Sequence, residues 1–290
     1  MKNNGRWKKT VKTLFARKVA VVSAVVVGLF IVMAVFAPLV TPYDPNFADF
    51  ASFLQGPSKA HLLGTDNYGR DVLSRIIYGT RVSLIIGVLA VMIACVIGTF
   101  FGMVAGYFCA GGRLHGGLHS FEEVIRMTRY KKKMLILAMA LTAVFGSGIR
   151  NLAIILGISS MAGYVRMMRG QVLTIKQSDY IMAGKLQGNK NFRLMFRHIL
   201  PNSISPIIVM MTQQVGQTIL AEAGLSFLGL GISAPTASWG SMVSEGRLFL
   251  LQNPVFALTP GVCVAVLVIC LNMLGDGVRD ALDPRLRGEV

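Results

Sequence analysis

The sequence predicts an all-α membrane protein with six transmembrane helices. Its mean hydropathy is +0.60, and 53% of its 290 residues are hydrophobic while only 14% are charged. Soluble domains carry about 25% charged residues. Several apolar runs approach or exceed the roughly 20 residues that cross the hydrocarbon core of a bilayer. A bilayer, rather than an unusually large soluble core, therefore explains the composition.

The six predicted helices occupy about 19–40, 82–108, 134–145, 152–168, 199–228 and 254–274. Pro42 and Pro45 end the first helix because proline cannot continue the hydrogen-bond ladder. This first run is too long for a signal-peptide core, so we expect it to be retained. The third helix is short for a span. A short separate helix is expected near 70–78, a brief turn at Arg150 and Asn151, and a partly inserted helix within 229–253.

Basic residues set the predicted orientation. The net charge is +16, and the basic residues concentrate in three segments, 1–18, 113–133 and 169–197. Basic loops of membrane proteins face the cytoplasm. With six helices all three segments fall on one side, so both termini are predicted to be cytoplasmic. The same placement beside apolar runs argues against nucleic-acid binding.

Glycine spacing in the second helix predicts close helix packing. Gly98, Gly102 and Gly106 recur every four residues. Small residues at this spacing allow two helix backbones to approach in a membrane.

The sequence offers no constellation that indicates an enzyme. It contains neither a P-loop motif nor an H-E-x-x-H zinc motif. His115 and His119 are spaced like two metal ligands on a helix, but the glycines between them oppose a helix, so we predict a loop and no metal site. The four cysteines lie in or beside apolar runs and are expected to pack as small hydrophobic residues.

Polar residues in the fifth helix are candidates for function. Gln213, Gln214, Gln217 and Glu222 are expected roughly along one side of this helix. Because such groups are costly when they face lipid, they should face the bundle interior or a water-filled path. A translocation pathway and interhelical hydrogen bonding explain them equally well at this stage.

The basic loop 169–198 contains a second candidate site. Residues 178–188 have helical character with an apolar stripe of Tyr180, Ile181, Ala183 and Leu186, and Gly188 is expected to end the helix. A basic amphipathic helix is predicted to follow over 192–199. Such a segment can dock into the groove of a partner or lie on anionic lipid, and the spacing does not choose between them.

Four segments resemble the C-type permease subunit of dipeptide, oligopeptide and nickel ABC importers. They are GTDNYGRDVLSR at 64–75, FRHILPN at 196–202, AEAGLSFLGLG at 221–231 and GDGVRDALDPR at 275–285. The resemblance extends from the first helix to Arg287.

The resemblance implies a type I ABC importer permease in a prokaryotic plasma (inner) membrane. The chain would form half of the translocation pathway for di- or oligopeptides or a similar small solute. Its partners would be a second permease, two ATPase subunits, an extracellular or periplasmic solute-binding protein and membrane lipid. ATP and magnesium would bind the ATPases, and this chain would bind no cofactor. A nickel or metal-chelate importer and a degenerate, non-transporting subunit are the alternatives.

The resemblance also implies residue roles. Residues Asp179, Tyr180, Ala183, Leu186 and Gly188 match the family's coupling loop, the EAA motif, which docks into the ATPase. The outside-loop motif comprises Gly64, Thr65, Asp66, Gly69, Arg70 and Asp71. The implied regions are 1–80 (tail, first helix and outside loop), 81–275 (the transmembrane core) and 276–290 (a cytoplasmic tail).

Two departures from the family pattern keep the degenerate alternative open. Met182-Ala183-Gly184 stands where the family usually has Glu-Ala-Ala, which removes a charge and adds a residue that weakens helices. Residues 113–133 do not match the family's amphipathic stretch.

Overall fold

The computed structural model describes residues 17–108 and 131–282, and these two stretches are mainly helical. The helices are α1 (Lys18–Val40), α2 (Val72–Phe108), α3 (Lys131–Phe145), α4 (Ile149–Lys176), α5 (Asp179–Leu186), α6 (Asn191–Asn202), α7 (Ile204–Phe227), α8 (Trp239–Gly246) and α9 (Pro254–Leu282). Short 3₁₀ turns lie at Phe50–Ser52 and Arg247–Phe249, and the middle of α6 is a π-helical turn.

By length and composition, four helices of the described stretches could each cross a membrane: α1, α2, α4 and α9. Helices α6 and α7 meet at a bend of 59° and add a fifth if they count as one broken span. Helix α3 has 15 residues, so at 1.5 Å per residue it is about 22 Å long, less than a hydrocarbon core of about 30 Å. The predicted short third helix is confirmed, and the count of six stays a prediction.

Helix α2 is one continuous helix, so the predicted separate helix at 70–78 is wrong. The mixed charge before residue 80 favoured a loop there, yet Gly79 lies inside the helix against α8, where an added Cβ would be 3.2 Å from Cδ1 of Trp239. The Asp71 side chain accepts a hydrogen bond from the backbone N–H of Ser74 at 2.8 Å and so begins the helix.

Helices α4 and α9 are longer than their apolar cores. Arg150 and Asn151 belong to the first turn of α4 rather than to the turn before it, and Asn151 donates to the Phe145 carbonyl at 2.8 Å. Helix α9 continues past residue 274 to Leu282. Hydropathy detects only the apolar part of a helix, and polar turns beyond it remain helical. The predicted region boundaries at 80/81 and 275/276 therefore lie inside α2 and α9.

The most extensive helix pair is α2 with α4. A Cβ added at Gly98 would lie 2.6 Å from the Met161 carbonyl oxygen, and one at Gly102 would lie 2.6 Å from that of Val165. From the other side, a Cβ added at Gly157 of α4 would lie 3.0 Å from the Ala90 carbonyl oxygen. The packing predicted from the glycine spacing is confirmed.

Helices α1, α7 and α9 complete the bundle around this pair. Val27 of α1, Ile219 of α7 and Leu267 of α9 belong to one buried cluster with Trp239. At the end of the bundle, Arg17 before α1 forms an ion pair with Asp280 of α9. This pair places the start of α1 beside the end of α9.

We predict that Gly102→Ala lowers the stability of the purified protein by about 1–3 kcal/mol, because the new Cβ must displace the α4 backbone. The measurement is the thermal unfolding midpoint in detergent. Gly28→Ala in α1 is the matched control, since an added Cβ there meets no atom within 4 Å. Equal midpoints for the two variants would contradict the close packing.

Candidate functional site

The motif at 64–71 forms a compact, buried turn at the start of α2. Its six predicted residues, Gly64, Thr65, Asp66, Gly69, Arg70 and Asp71, are all buried. Thr65 and Asp71 form an isolated antiparallel bridge. The Asp66 carboxylate accepts hydrogen bonds from the backbone N–H groups of Tyr68 at 2.8 Å and Arg70 at 2.9 Å. The structure therefore brings the six predicted residues together, and they lie inside the protein rather than on its surface.

Two arginines converge on two acidic residues at this turn. Nε of Arg70 lies 2.6 Å from Oδ2 of Asp66, and its Nη2 lies 2.9 Å from Oε2 of Glu245. Nε of Arg75 lies 3.3 Å from the same Asp66 oxygen, and its Nη1 donates to the carbonyl of Pro45 at 3.1 Å. We call Asp66, Arg70, Arg75 and Glu245 the arginine cluster. It joins the start of α2, the loop before it and the end of α8.

Glycines at two positions allow the turn to close. Gly64 and Gly69 have φ values of +78° and +71°. A Cβ at Gly64 would lie 2.4 Å from the carbonyl oxygen of Gln55, and one at Gly69 only 1.7 Å from that of Asp49. Both the backbone conformation and the space therefore require glycine.

Another buried carboxylate, that of Glu222, links α7 to α8. Its Oε1 accepts hydrogen bonds from the hydroxyls of Ser226 at 2.9 Å and Ser238 at 3.2 Å. Ser238 also caps α8, and the next residue, Trp239, donates from its indole nitrogen to the Ile76 carbonyl at 3.1 Å. Glu222 thus helps to hold α8 against the bundle.

The glutamines of α7 face different neighbours from Glu222, so the expected common side is wrong. Gln213 donates to Asp276 of α9 at 3.0 Å, and Gln214 donates to Ser160 of α4 at 3.4 Å. Gln217 is exposed on the subunit surface, whereas Glu222 is fully buried. Five residues at about 100° each separate Gln217 and Glu222 by about 140° around the helix.

The segment 178–188 contains the predicted helix. Helix α5 covers Asp179–Leu186, and the backbone N–H of Gly188 donates to the Lys185 carbonyl at 3.0 Å with a φ of +76°. The predicted end at Gly188 is therefore confirmed. The predicted residues Asp179, Tyr180, Ala183, Leu186 and Gly188 are all exposed, and Leu186 is 90% exposed.

Ile181 separates from the predicted apolar stripe and faces inward. It is fully buried. Its cluster, which we call the coupling cluster, contains residues of α2, α4, α6 and α7: Met103, Tyr107, Met168, Val172, Ile181, Met195, Ile199 and Ile207. Ile181 is therefore the buried anchor of α5. Tyr180 adds a hydrogen bond, accepted from Asn202 at 3.3 Å, and most other side chains of the helix are exposed.

Hydrogen bonds reinforce the same junction. Nζ of Lys176, at the end of α4, donates to the Tyr107 carbonyl at the end of α2 with a distance of 2.6 Å. The Tyr107 hydroxyl donates to Oδ1 of Asn191 at the start of α6 with a distance of 2.8 Å. The ends of α2, α4 and α6 are thus joined directly beside α5.

The departure at 182–184 has a packing explanation. A Cβ added at Gly184 would lie 3.0 Å from Cδ2 of Leu194, so the glycine leaves room for α6. Met182 is about half exposed. The changed residues are therefore compatible with a folded α5.

The metal prediction is tested only in part. Across residues 17–108 and 131–282, no three His, Cys, Asp or Glu side chains are grouped to hold a metal ion. His115, His119 and the atypical segment up to residue 130 lie outside the described residues.

Sequence reasoning assigned no role to several residues that build these sites. Arg75 was part of a motif without a function, while Ser238, Trp239 and Glu245 belonged to a polar loop. Glu245 lies 175 residues from Arg70. A contact over such a separation leaves no local pattern that could have predicted it.

Residues 98–288 match the family model of the binding-protein-dependent transport system inner membrane component, and residues 5–57 match the N-terminal TM domain of oligopeptide transport permease C. The chain is 40% identical over 283 residues to a dipeptide transport system permease protein of Alkalihalophilus pseudofirmus, covering 97% of this chain and 90% of the relative. It is 37% identical over 282 residues to a glutathione transport system permease protein of Pectobacterium atrosepticum (97% and 92% covered). An Escherichia coli protein of the same description is 38% identical over 283 residues (97% and 91% covered).

We predict that Asp66→Ala destabilises the protein by about 3–5 kcal/mol, because two buried arginines lose the carboxylate they share. The thermal unfolding midpoint measures this loss. Asp44→Ala is the control, since Asp44 is exposed and accepts one local hydrogen bond from Asn46. A midpoint for Asp66→Ala no lower than that of the control would contradict a stabilising role for the cluster.

Proposed function

Because the chain belongs to the family of binding-protein-dependent transport system inner membrane components, we propose that it forms half of the pathway of an importer for short peptides. It is a multi-pass permease subunit of the inner membrane, without catalytic chemistry of its own. The observation that carries the substrate class is the 37–40% identity, over 97% of the chain, to permeases named for dipeptide and glutathione transport. These names favour a peptide over the nickel or metal-chelate alternative.

The proposed assembly follows from the family. A second, homologous permease completes the pathway, and an extracellular or periplasmic binding protein delivers the peptide. Two ATPase subunits bind ATP and magnesium and supply the energy. The proposed architecture is a type I importer permease with six helices, divided into the regions 1–80, 81–275 and 276–290. The pairing of Arg17 with Asp280 supports placing the start of α1 and the end of α9 on the same side, and the basic residues before α1 favour the cytoplasm for that side.

Helix α5 is the proposed coupling element. Tyr180, Met182 and Leu186 are exposed apolar side chains on a short helix, which suits docking into a hydrophobic groove of an ATPase. The buried Ile181 supports the transmission of movement from the docked helix to the membrane helices. Because it packs with α2, α4, α6 and α7, a displacement of the docked helix would move these helices as a rigid body. The packing role of Gly184 favours a working coupling helix over a degenerate one.

The proposed pathway residues lie on α7. Gln217 is exposed in the isolated subunit, and we assign it to the pathway surface shared with the second permease. Gln213 and Gln214 flank this surface and connect it to α9 and α4. Glu222 lies on the buried side of α7 and holds α8 in place by accepting a hydrogen bond from Ser238. In this arrangement, rocking of the subunit would carry the glutamines with α7.

The direct test combines purification with uptake. The tagged chain is isolated from its own cells in mild detergent, and the co-purifying proteins are identified by mass spectrometry. The recovered system is then expressed in cells without dipeptide and glutathione importers, and uptake of labelled dipeptide, glutathione and Ni²⁺ is compared. We expect a second permease, ATPases and peptide uptake that requires this chain. Uptake of Ni²⁺ alone would overturn the peptide assignment, and recovery of the chain without permease or ATPase would overturn the assembly.

We predict that Leu186→Asp reduces ATPase co-purification and peptide uptake at least tenfold while the chain still inserts, because a charge replaces a side chain that is 90% exposed on the docking face. Leu251→Asp is the matched control, since Leu251 is 99% exposed but lies in the turn before α9. Full ATPase recovery with Leu186→Asp would show that α5 does not dock through this side chain.

A further inference from the structure

Helix α6 presents an aromatic and basic surface that the coupling role does not use. The rings of Phe192 and Phe196 lie 4.4 Å apart between centroids, and the two side chains are 67% and 36% exposed. Together with Lys190, Arg193 and Arg197, they line an open groove of about 570 Å³. We call this surface the α6 groove.

The α6 groove is separate from the face that anchors the helix. Leu194, Met195 and Ile199 are buried on the opposite face, and the last two belong to the coupling cluster. On the open face, the two phenylalanines and the two arginines each stand four residues apart. Side chains at this spacing form neighbouring rows along a helix. An apolar row beside a cationic row is typical of helices that lie at a membrane surface.

The bend between α6 and α7 places the groove near the start of the proposed membrane span. Ile204, the first residue of α7, is eight residues from Phe196, or about 12 Å along a helix. Because the two helices meet at 59°, about half of this length, roughly 6 Å, projects along the axis of the span. If α7 crosses the membrane as proposed, the groove would lie close to where the span begins, near the level of the lipid headgroups.

The charge around the groove indicates an anionic ligand. Between residues 169 and 198 there are six basic residues and one acidic residue, Asp179, which is exposed on α5. Arginine forms paired hydrogen bonds to phosphate oxygens. The cytoplasmic leaflet presents anionic phosphate headgroups to basic segments beside a span.

We propose that the α6 groove binds an anionic phospholipid of the cytoplasmic leaflet. Arg193 and Arg197 hold the phosphate, Lys190 adds positive charge, and Phe192 and Phe196 contact the glycerol and upper acyl region. This inference rests on the proposed orientation, in which α5 and α6 face the cytoplasm. The lipid would hold α6 at the membrane surface, between the coupling helix and α7.

The first experiment identifies the neighbour of the groove in the assembled transporter. The photo-crosslinking amino acid p-benzoylphenylalanine replaces Phe196 in cells, and the products are analysed by mass spectrometry. We expect adducts with phospholipid. The same amino acid in place of Leu186 is the control for the coupling role, and its expected adduct is with an ATPase. ATPase adducts at position 196 would overturn the lipid proposal and leave the coupling proposal intact, whereas loss of ATPase adducts at position 186 would count against coupling alone.

The second experiment tests the charge. The complex carrying Arg193→Gln and Arg197→Gln is purified in mild detergent, and its retained phosphatidylglycerol and phosphatidylethanolamine are quantified. We expect at least a twofold fall in the ratio of the anionic to the zwitterionic lipid. Arg150→Gln, at an exposed position in the first turn of α4, should leave the ratio unchanged. Comparison is made between assembled complexes only, and an unchanged ratio in the double variant would overturn the proposal.

Discussion

The contact between the backbones of α2 and α4 is the constraint on which the other packing depends. Within a bilayer, apolar side chains gain little by leaving lipid for one another, so helices associate through close van der Waals contact. Gly98 and Gly102 on one helix and Gly157 on the other allow that contact. The two helices therefore behave as one rigid pair, against which α1, α6 and α7 are placed.

This pair connects the two sites, because each site is built on an end of α2. The helix has 37 residues and is about 55 Å long. Arg75, in its first turn, belongs to the arginine cluster, and Tyr107, in its last turn, belongs to the coupling cluster. A helix held by α4 from about Val82 to its last turn, and by α8 near its start, has little freedom to bend. A displacement at α5 would therefore reach the far end of the subunit, and the arginine cluster would keep α8 moving with α2.

Much of the segment around α5 was predictable, because its signals are local. An amphipathic stretch within a basic loop, followed by a glycine, predicts a short helix, and α5 ends at Leu186, two residues before Gly188. The polar side chains of α7 were less predictable. Their identities follow from the rarity of polar groups in apolar runs, but their directions depend on which helices surround α7. The expected common side failed for that reason, since Gln217 is exposed and Glu222 is buried against α8.

The sequence by itself determined the helical class, the apolar runs, the glycine spacing of α2 and the membership of a transporter family, because each is written in neighbouring residues or in long motifs. The tertiary structure alone decided that α2 is a single helix and that Ile181 points inward. It also decided that Arg70 and Arg75 both form ion pairs with Asp66 and Glu245. These features depend on contacts between residues far apart in the chain. Such contacts form only when the helices pack, so a local sequence pattern cannot predict them.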